Sequence, residues 1–212
     1  MNPRHHPSEA LLMDYSVGTL DAARELVIGA HVASCGACAR EIALFEAVGG
    51  ALLEDIPPSP TAPDALATVL GRIDRPIPTP APVPAQNPDW IRVPSAVLEA
   101  AKNRRRWAAP GVWVAPITGD RKGQRAYLLR FAKGMSVPNH THRGIEMVVV
   151  LKGAYADGET CHRAGDFAEN AVELVHQPVA TMDGECICLI AADGALVPRD
   201  WVGWLFQPFV GI

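Results

Sequence analysis

A run of prolines divides this chain. Pro76, Pro78, Pro80, Pro82, Pro84 and Pro88 fall within thirteen residues. Each proline fixes φ and removes a backbone donor, so neither helix nor sheet crosses the segment. It reads as an extended spacer of about 3 Å per residue. Residues 1–75 then form one body, 76–89 a linker and 90–212 a second body. The spacer is expected to tether the two without welding them.

The first body is helical by periodicity. Ser8 caps a run with Leu11, Leu12 and Tyr15 on one side, and Gly18 ends it. Asp21 heads a second helix through Glu25, Leu26 and Ile28 to about Ser34. A third begins near Gly36 and carries Ile42, Phe45, Val48 and Leu52, with Gly49-Gly50 weakening its end. A fourth spans about 62–74, with Ala62, Ala65, Leu66, Val69, Leu70 and Ile73 on one stripe. So small a bundle has little core and needs a staple. The second body changes period. Gln124–Phe131, Met147–Leu151 and Cys186–Ala191 are β-rich, and glycines recur between them. Short strands with frequent turns predict an antiparallel barrel or sandwich.

A staple for the bundle is legible as His31-x3-Cys35-x2-Cys38. His31 and Cys35 are four apart, so they share a helix face. Gly36 lets the chain bend so that Cys38 reaches the same centre. One imidazole and two thiolates leave tetrahedral zinc one ligand short. His5 and His6 are the nearby candidates, and His6, beside Pro7 at the entry of the first helix, is favoured. A closed Cys2His2 set is structural rather than catalytic. The alternatives are core thiols or a redox pair, but a redox C-x2-C sits at a strand–helix junction and no strand precedes Cys35.

The second body carries Gly134-x5-His140-x-His142-x3-Glu146-x6-Gly153, then Gly165-x10-His176. His140 and His142 alternate on a strand and point the same way. Glu146 starts the next strand, and His176 is expected on a later one. Three imidazoles and a carboxylate suit Zn, Fe, Mn or Ni. Cys186 and Cys188 lie two apart on a strand, so both face one side. They read as core thiols or as an oxidisable pair near the barrel site.

Charge narrows the partners. Residues 1–89 hold five Arg/Lys against eleven Asp/Glu, and residues 90–212 hold fourteen against twelve. An acidic first body repels phosphate, which argues against direct nucleic-acid binding and favours a protein with a basic surface. No stretch approaches the roughly 20 apolar residues that span a bilayer. The first residues lack the apolar segment of a signal peptide. With five clustered cysteines, this suggests a cytoplasmic protein whose thiols bind metal.

These motifs together resemble the ChrR type of anti-sigma factor. His31-x3-Cys35-x2-Cys38 with an upstream histidine is similar to the zinc-binding anti-sigma motif, and Gly134 through Gly153 matches the first cupin motif at every fixed position. The second cupin motif matches at Gly165 and His176. Its proline, glycine and asparagine fall on Ala171, Glu173 and Ala180. The resemblance implies an all-α zinc-stapled bundle followed by an all-β cupin jelly roll, a multidomain α plus β chain. It implies zinc on His6, His31, Cys35 and Cys38, and zinc or another divalent metal on His140, His142, Glu146 and His176. It further implies a 1:1 complex with an extracytoplasmic-function-type sigma factor, released by singlet oxygen or organic hydroperoxides.

The stripe of Leu66, Val69, Leu70 and Ile73 either packs on that partner or folds back on its own bundle. The competing reading is an enzyme, a cupin oxygenase or isomerase with an accessory zinc domain. The sequence supplies no evident general base beside the ligands, so a non-enzymatic regulator is expected. A zinc-finger DNA binder is disfavoured by the acidic first body.

Overall fold

The computed structural model describes residues 3–73, 104–119, 124–172, 175–194 and 196–199. The proline-rich linker at 76–89 lies outside the described residues.

The helices start where their caps put them. Ser8 accepts from the N–H of Leu11 and opens α1 (Glu9–Ser16), and Gly18, at φ 70°, turns the chain away from it. Asp21 accepts from the N–H groups of Ala23 and Arg24 and opens α2 (Ala22–Val32). α3 (Gly36–Glu54) and α4 (Ala65–Ile73) follow. α3 continues through Gly49-Gly50, which were expected to weaken its end, as far as Glu54. Only Cys38 and Ile42 of α3 are buried.

The second part is antiparallel throughout its described pairings. β1 (Arg106–Ala109), β2 (Val112–Gly119), β3 (Gln124–Phe131), β10 (Cys186–Asp193), β5 (Glu146–Lys152) and β8 (Phe167–Asn170) form a six-stranded sheet in that order. Facing it are β7 (Thr160–Arg163), β6 (Ala154–Asp157) and β9 (Val179–Ala180), and the pair β4 (His140–His142) with β11 (Leu196–Pro198).

The central strands are buried on both faces, and this overturns the expectation of loosely tethered bodies. Val148, Val150, Cys186, Cys188 and Ile190 face the barrel interior. Their neighbours Met147, Val149, Leu151, Leu189 and Ala191 face the other way, in one core with Leu12, Val27, Ile28 and Ile42 of the helices. α2 packs on β3, β5 and β10. This explains why β5 is apolar over a continuous run instead of alternating. Arg24 pairs with Asp193 across the joint.

A second seam ties the N-terminal segment to the turn before β8. The Phe167 N–H donates to the carbonyl of His5 at 3.0 Å, and the Arg4 N–H donates to Asp166 at 2.6 Å. Gly165, at φ +94°, lies so close to Pro3 that a Cβ there would sit 3.0 Å from its ring. Burial alone would raise the Asp166 carboxyl. The N–H groups of Arg163, Arg4 and His5 outweigh it and hold the group below the usual carboxylate range.

The apolar surface of the helical part is not fully used. Val48, Leu52 and Leu53 of α3 are exposed, although Val48 and Leu52 were expected on its packed stripe. On α4, Leu66 is 71% and Ile73 70% exposed, and Val69 and Leu70 are more than half exposed. The stripe does not fold back on its own bundle.

Glu185 joins two strands on the other side. Arg130 Nε donates to it at 2.6 Å and Lys152 Nζ at 2.9 Å. These cations hold Glu185 below its ordinary value, the Lys152 hydrogen bond most of all. The pair is solvent-facing, so Glu185→Gln is expected to cost no more than about 1 kcal/mol at neutral pH. A depressed folded-state pKa stabilises above the unfolded value of about 4.3 and ceases to do so as pH falls through the folded one. Urea melts of the two proteins should therefore differ at neutral pH and converge once pH has fallen below the folded-state value of Glu185.

Candidate metal centres

The first centre is assembled from three places in the helical part. His6 lies just before α1, His31 in the last turn of α2, Cys35 at the cap of α3 and Cys38 in its first turn. His31 Nε2 is 3.3 Å from Cys38 Sγ, and His6 Nδ1 is 3.4 Å from both Cys35 Sγ and Cys38 Sγ. Ligands at zinc distances and tetrahedral angles lie about 3.4–3.8 Å apart. The donor set and its spacing fit such an ion. His5 goes elsewhere, against Asp166 at 3.3 Å.

The electrostatics of this cluster call for a cation. Burial, then the hydrogen bond and charge of Cys35, push the Cys38 thiol up to about 12. Two adjacent buried thiolates form only if a positive ion displaces their protons. Burial lowers His31, which keeps its imidazole neutral. His31 Nδ1 donates to the Gly165 carbonyl at 2.8 Å and so turns Nε2 toward Cys38. That partner lies 134 residues away, in the barrel, and no local pattern announces it.

The second centre lies inside the barrel. β4 presents His140 and His142, β5 begins with Glu146, and His176 bridges to His140 outside any named strand. His142 Nε2 is 3.1 Å from His176 Nε2 and 3.3 Å from Glu146 Oε2. All four side chains are buried. Burial pushes His140 and His142 each down to about 4, so their lone pairs are free at neutral pH. Burial would also lower His176, but the Asp157 carboxylate and Glu146 outweigh it and raise the group.

Three supporting residues escaped sequence reasoning. His176 Nδ1 donates to Asp157 at 2.7 Å, which aims Nε2 at the cluster. Asn170 donates to Glu146 at 2.8 Å, and the Tyr127 hydroxyl donates to it at 3.4 Å. Asp157→Asn is expected to weaken metal binding at this centre about 10–100-fold without altering the first centre, by titration against a chelating dye.

A cavity of about 40 Å³ adjoins the cluster, lined by Tyr127, His140, Glu146, Tyr155 and Cys188 among others. Cys186 and Cys188 are buried with their sulfurs 3.7 Å apart. Burial, then the Cys186 hydrogen bond, pushes the Cys188 thiol well above its ordinary value. Cys188 is therefore both core and wall of the site, and Cys186 lies behind it in the core.

A helical module with a Cys2His2 set, docked on a barrel with a buried His3Glu set, defines a class: an anti-sigma-type module joined to a cupin. Residues 95–195 match the family model for the ChrR Cupin-like domain. The whole chain is 37% identical to the anti-sigma-E factor ChrR of Cereibacter sphaeroides, covering 100% of both proteins. A crystal structure of Rhodobacter sphaeroides SigE in complex with the anti-sigma ChrR contains a similar chain. The TM-score is 0.76 at 36% identity, covering 91% of this chain and 100% of that one. The chain belongs to the ChrR family of anti-sigma factors.

Proposed function

We propose that this chain is an anti-sigma factor. It binds an extracytoplasmic-function-type sigma factor as a 1:1 complex through its helical part and keeps that factor from core RNA polymerase. It releases the factor when singlet oxygen or an organic hydroperoxide acts on the barrel. Zinc on His6, His31, Cys35 and Cys38 shapes the binding module. Zinc or another divalent metal on His140, His142, Glu146 and His176, with the Cys186–Cys188 pair, forms the sensor. The observation that carries this reading is full-length similarity to an anti-sigma factor, joined to an exposed apolar surface on α3 and α4.

The cavity supports a sensor over an enzyme. Organic substrates occupy pockets of about 300–1,000 Å³, whereas the space beside these ligands is about 40 Å³. That is room for a molecule the size of singlet oxygen or water beside the ligands. Among the described residues, no helix is long and apolar enough to cross a membrane.

Co-expression with extracytoplasmic-function-type sigma factors, followed by gel filtration and transcription assays, tests the proposal. His176→Ala is expected to leave sigma binding within a few-fold and to abolish release under photosensitised singlet oxygen. Release at the wild-type rate would remove the barrel centre from the signalling role. Failure of every such sigma factor to bind would remove the anti-sigma reading.

A further inference from the structure

We propose a third metal site, for a divalent cation such as zinc, built from His5, His162 and Asp166 where the N-terminal segment meets the barrel. One ligand atom from each lies within 4.8 Å of the others. The His5 and His162 rings are 4.6 Å apart at 52°. Asp166 is 2% exposed, and its carboxylate is fixed by the N–H groups of Arg4, His5 and Arg163. His5 Nδ1 approaches Asp166 Oδ2 at 3.3 Å but makes no hydrogen bond. His162 Nδ1 is likewise buried without a partner.

Two buried imidazole nitrogens that make no hydrogen bond, one of them facing a buried carboxylate, are costly unless an acceptor of lone pairs joins them. Two histidines and one carboxylate, with further positions open, are a recurring set for first-row divalent metals. The set shares no residue with the other two centres, yet it touches both. His5 is next to His6 in the chain. His162 stacks on Tyr155 at 5.0 Å, and Tyr155 lines the barrel cavity. An ion here would clip the segment that carries His6 to the barrel. This site does not depend on sigma binding.

The test is metal stoichiometry of the full-length protein, loaded with zinc and weighed by mass spectrometry under non-denaturing conditions, and loaded with cobalt for absorption spectra. His162→Phe keeps a ring against Tyr155 but removes a ligand, and His5→Gln removes another while leaving the backbone contacts to Asp166 and Phe167. Each variant is expected to bind one equivalent fewer than the wild type, with the cobalt–thiolate band of Cys35 and Cys38 unchanged. Equal stoichiometry in all three proteins would overturn the site. If His162→Phe loses the thiolate band through misfolding, the His5→Gln comparison decides alone.

Discussion

Replacing Cys38 by serine is expected to weaken sigma binding by at least about 100-fold, to strip α1 and α3 from the protein and to leave the barrel folded. The reason is how little else holds those helices. Among their residues, Leu12 is the buried side chain of α1, and Cys38 and Ile42 are those of α3. Burying a Leu or Ile yields about 1.5–3 kcal/mol, whereas structural zinc contributes about 10–16 kcal/mol in small domains. The metal term dominates, and removing one thiolate forfeits most of it. α2 stands apart because Val27 and Ile28 are already sealed against the sheet. Far-UV circular dichroism should therefore show a partial loss of helix with barrel melting nearly unchanged. Limited proteolysis should cut within residues 33–56. A strong chelator should reproduce both effects in the wild type. A Cys38→Ser protein with full helical content and undiminished affinity would contradict the assignment.

Much of this arrangement was legible because its causes are local. Ser8 and Asp21 cap helices with their own side chains, and His31, Cys35 and Cys38 lie close in sequence and meet across the turn from α2 to α3; Cys35 sits beyond the end of α2 in extended backbone, so the helix face expected to carry it with His31 does not form. The sequence also placed Glu146 at the start of its strand, since a short turn after His142 leaves little choice.

What was not legible depends on partners far along the chain. The proline run suggested independent bodies, but Met147, Val149 and Leu189 turn a second apolar face outward for α2 to cover. The continuous apolar run of β5 carries that signal, but it does not say which element covers the second face. Asp157 and Asn170 support the barrel centre from β6 and β8, and nothing near them in sequence marks them as such. Likewise, the carbonyl of Gly165 orients His31 through a fold that periodicity cannot pair. α3 was expected to bury its whole stripe. Its second half outruns the bundle, so Val48 and Leu52 face solvent.

That unused surface leads to the second large effect. The double substitution Leu66→Asp and Leu70→Asp is expected to reduce sigma affinity by about 10²–10⁴-fold while the protein keeps its fold. Leu66, Val69, Leu70 and Ile73 recur at the spacing of one helix face, and in the free protein that face is open. Covering two leucines on a partner yields about 3–6 kcal/mol, and each 1.4 kcal/mol is about a factor of ten in affinity. Because the residues are exposed, the change in stability should stay near the size of ordinary surface substitutions, about 0.5 kcal/mol each. The kinetics separate an apolar contact from a charge effect. New carboxylates on an already acidic body do not slow encounter with a basic partner, so the association rate should hold or rise slightly. The loss should appear in faster dissociation. Surface plasmon resonance at two salt concentrations reads both rates. Dissociation unchanged from the wild type, in a protein whose melting curve is also unchanged, would show that α4 does not touch the sigma factor.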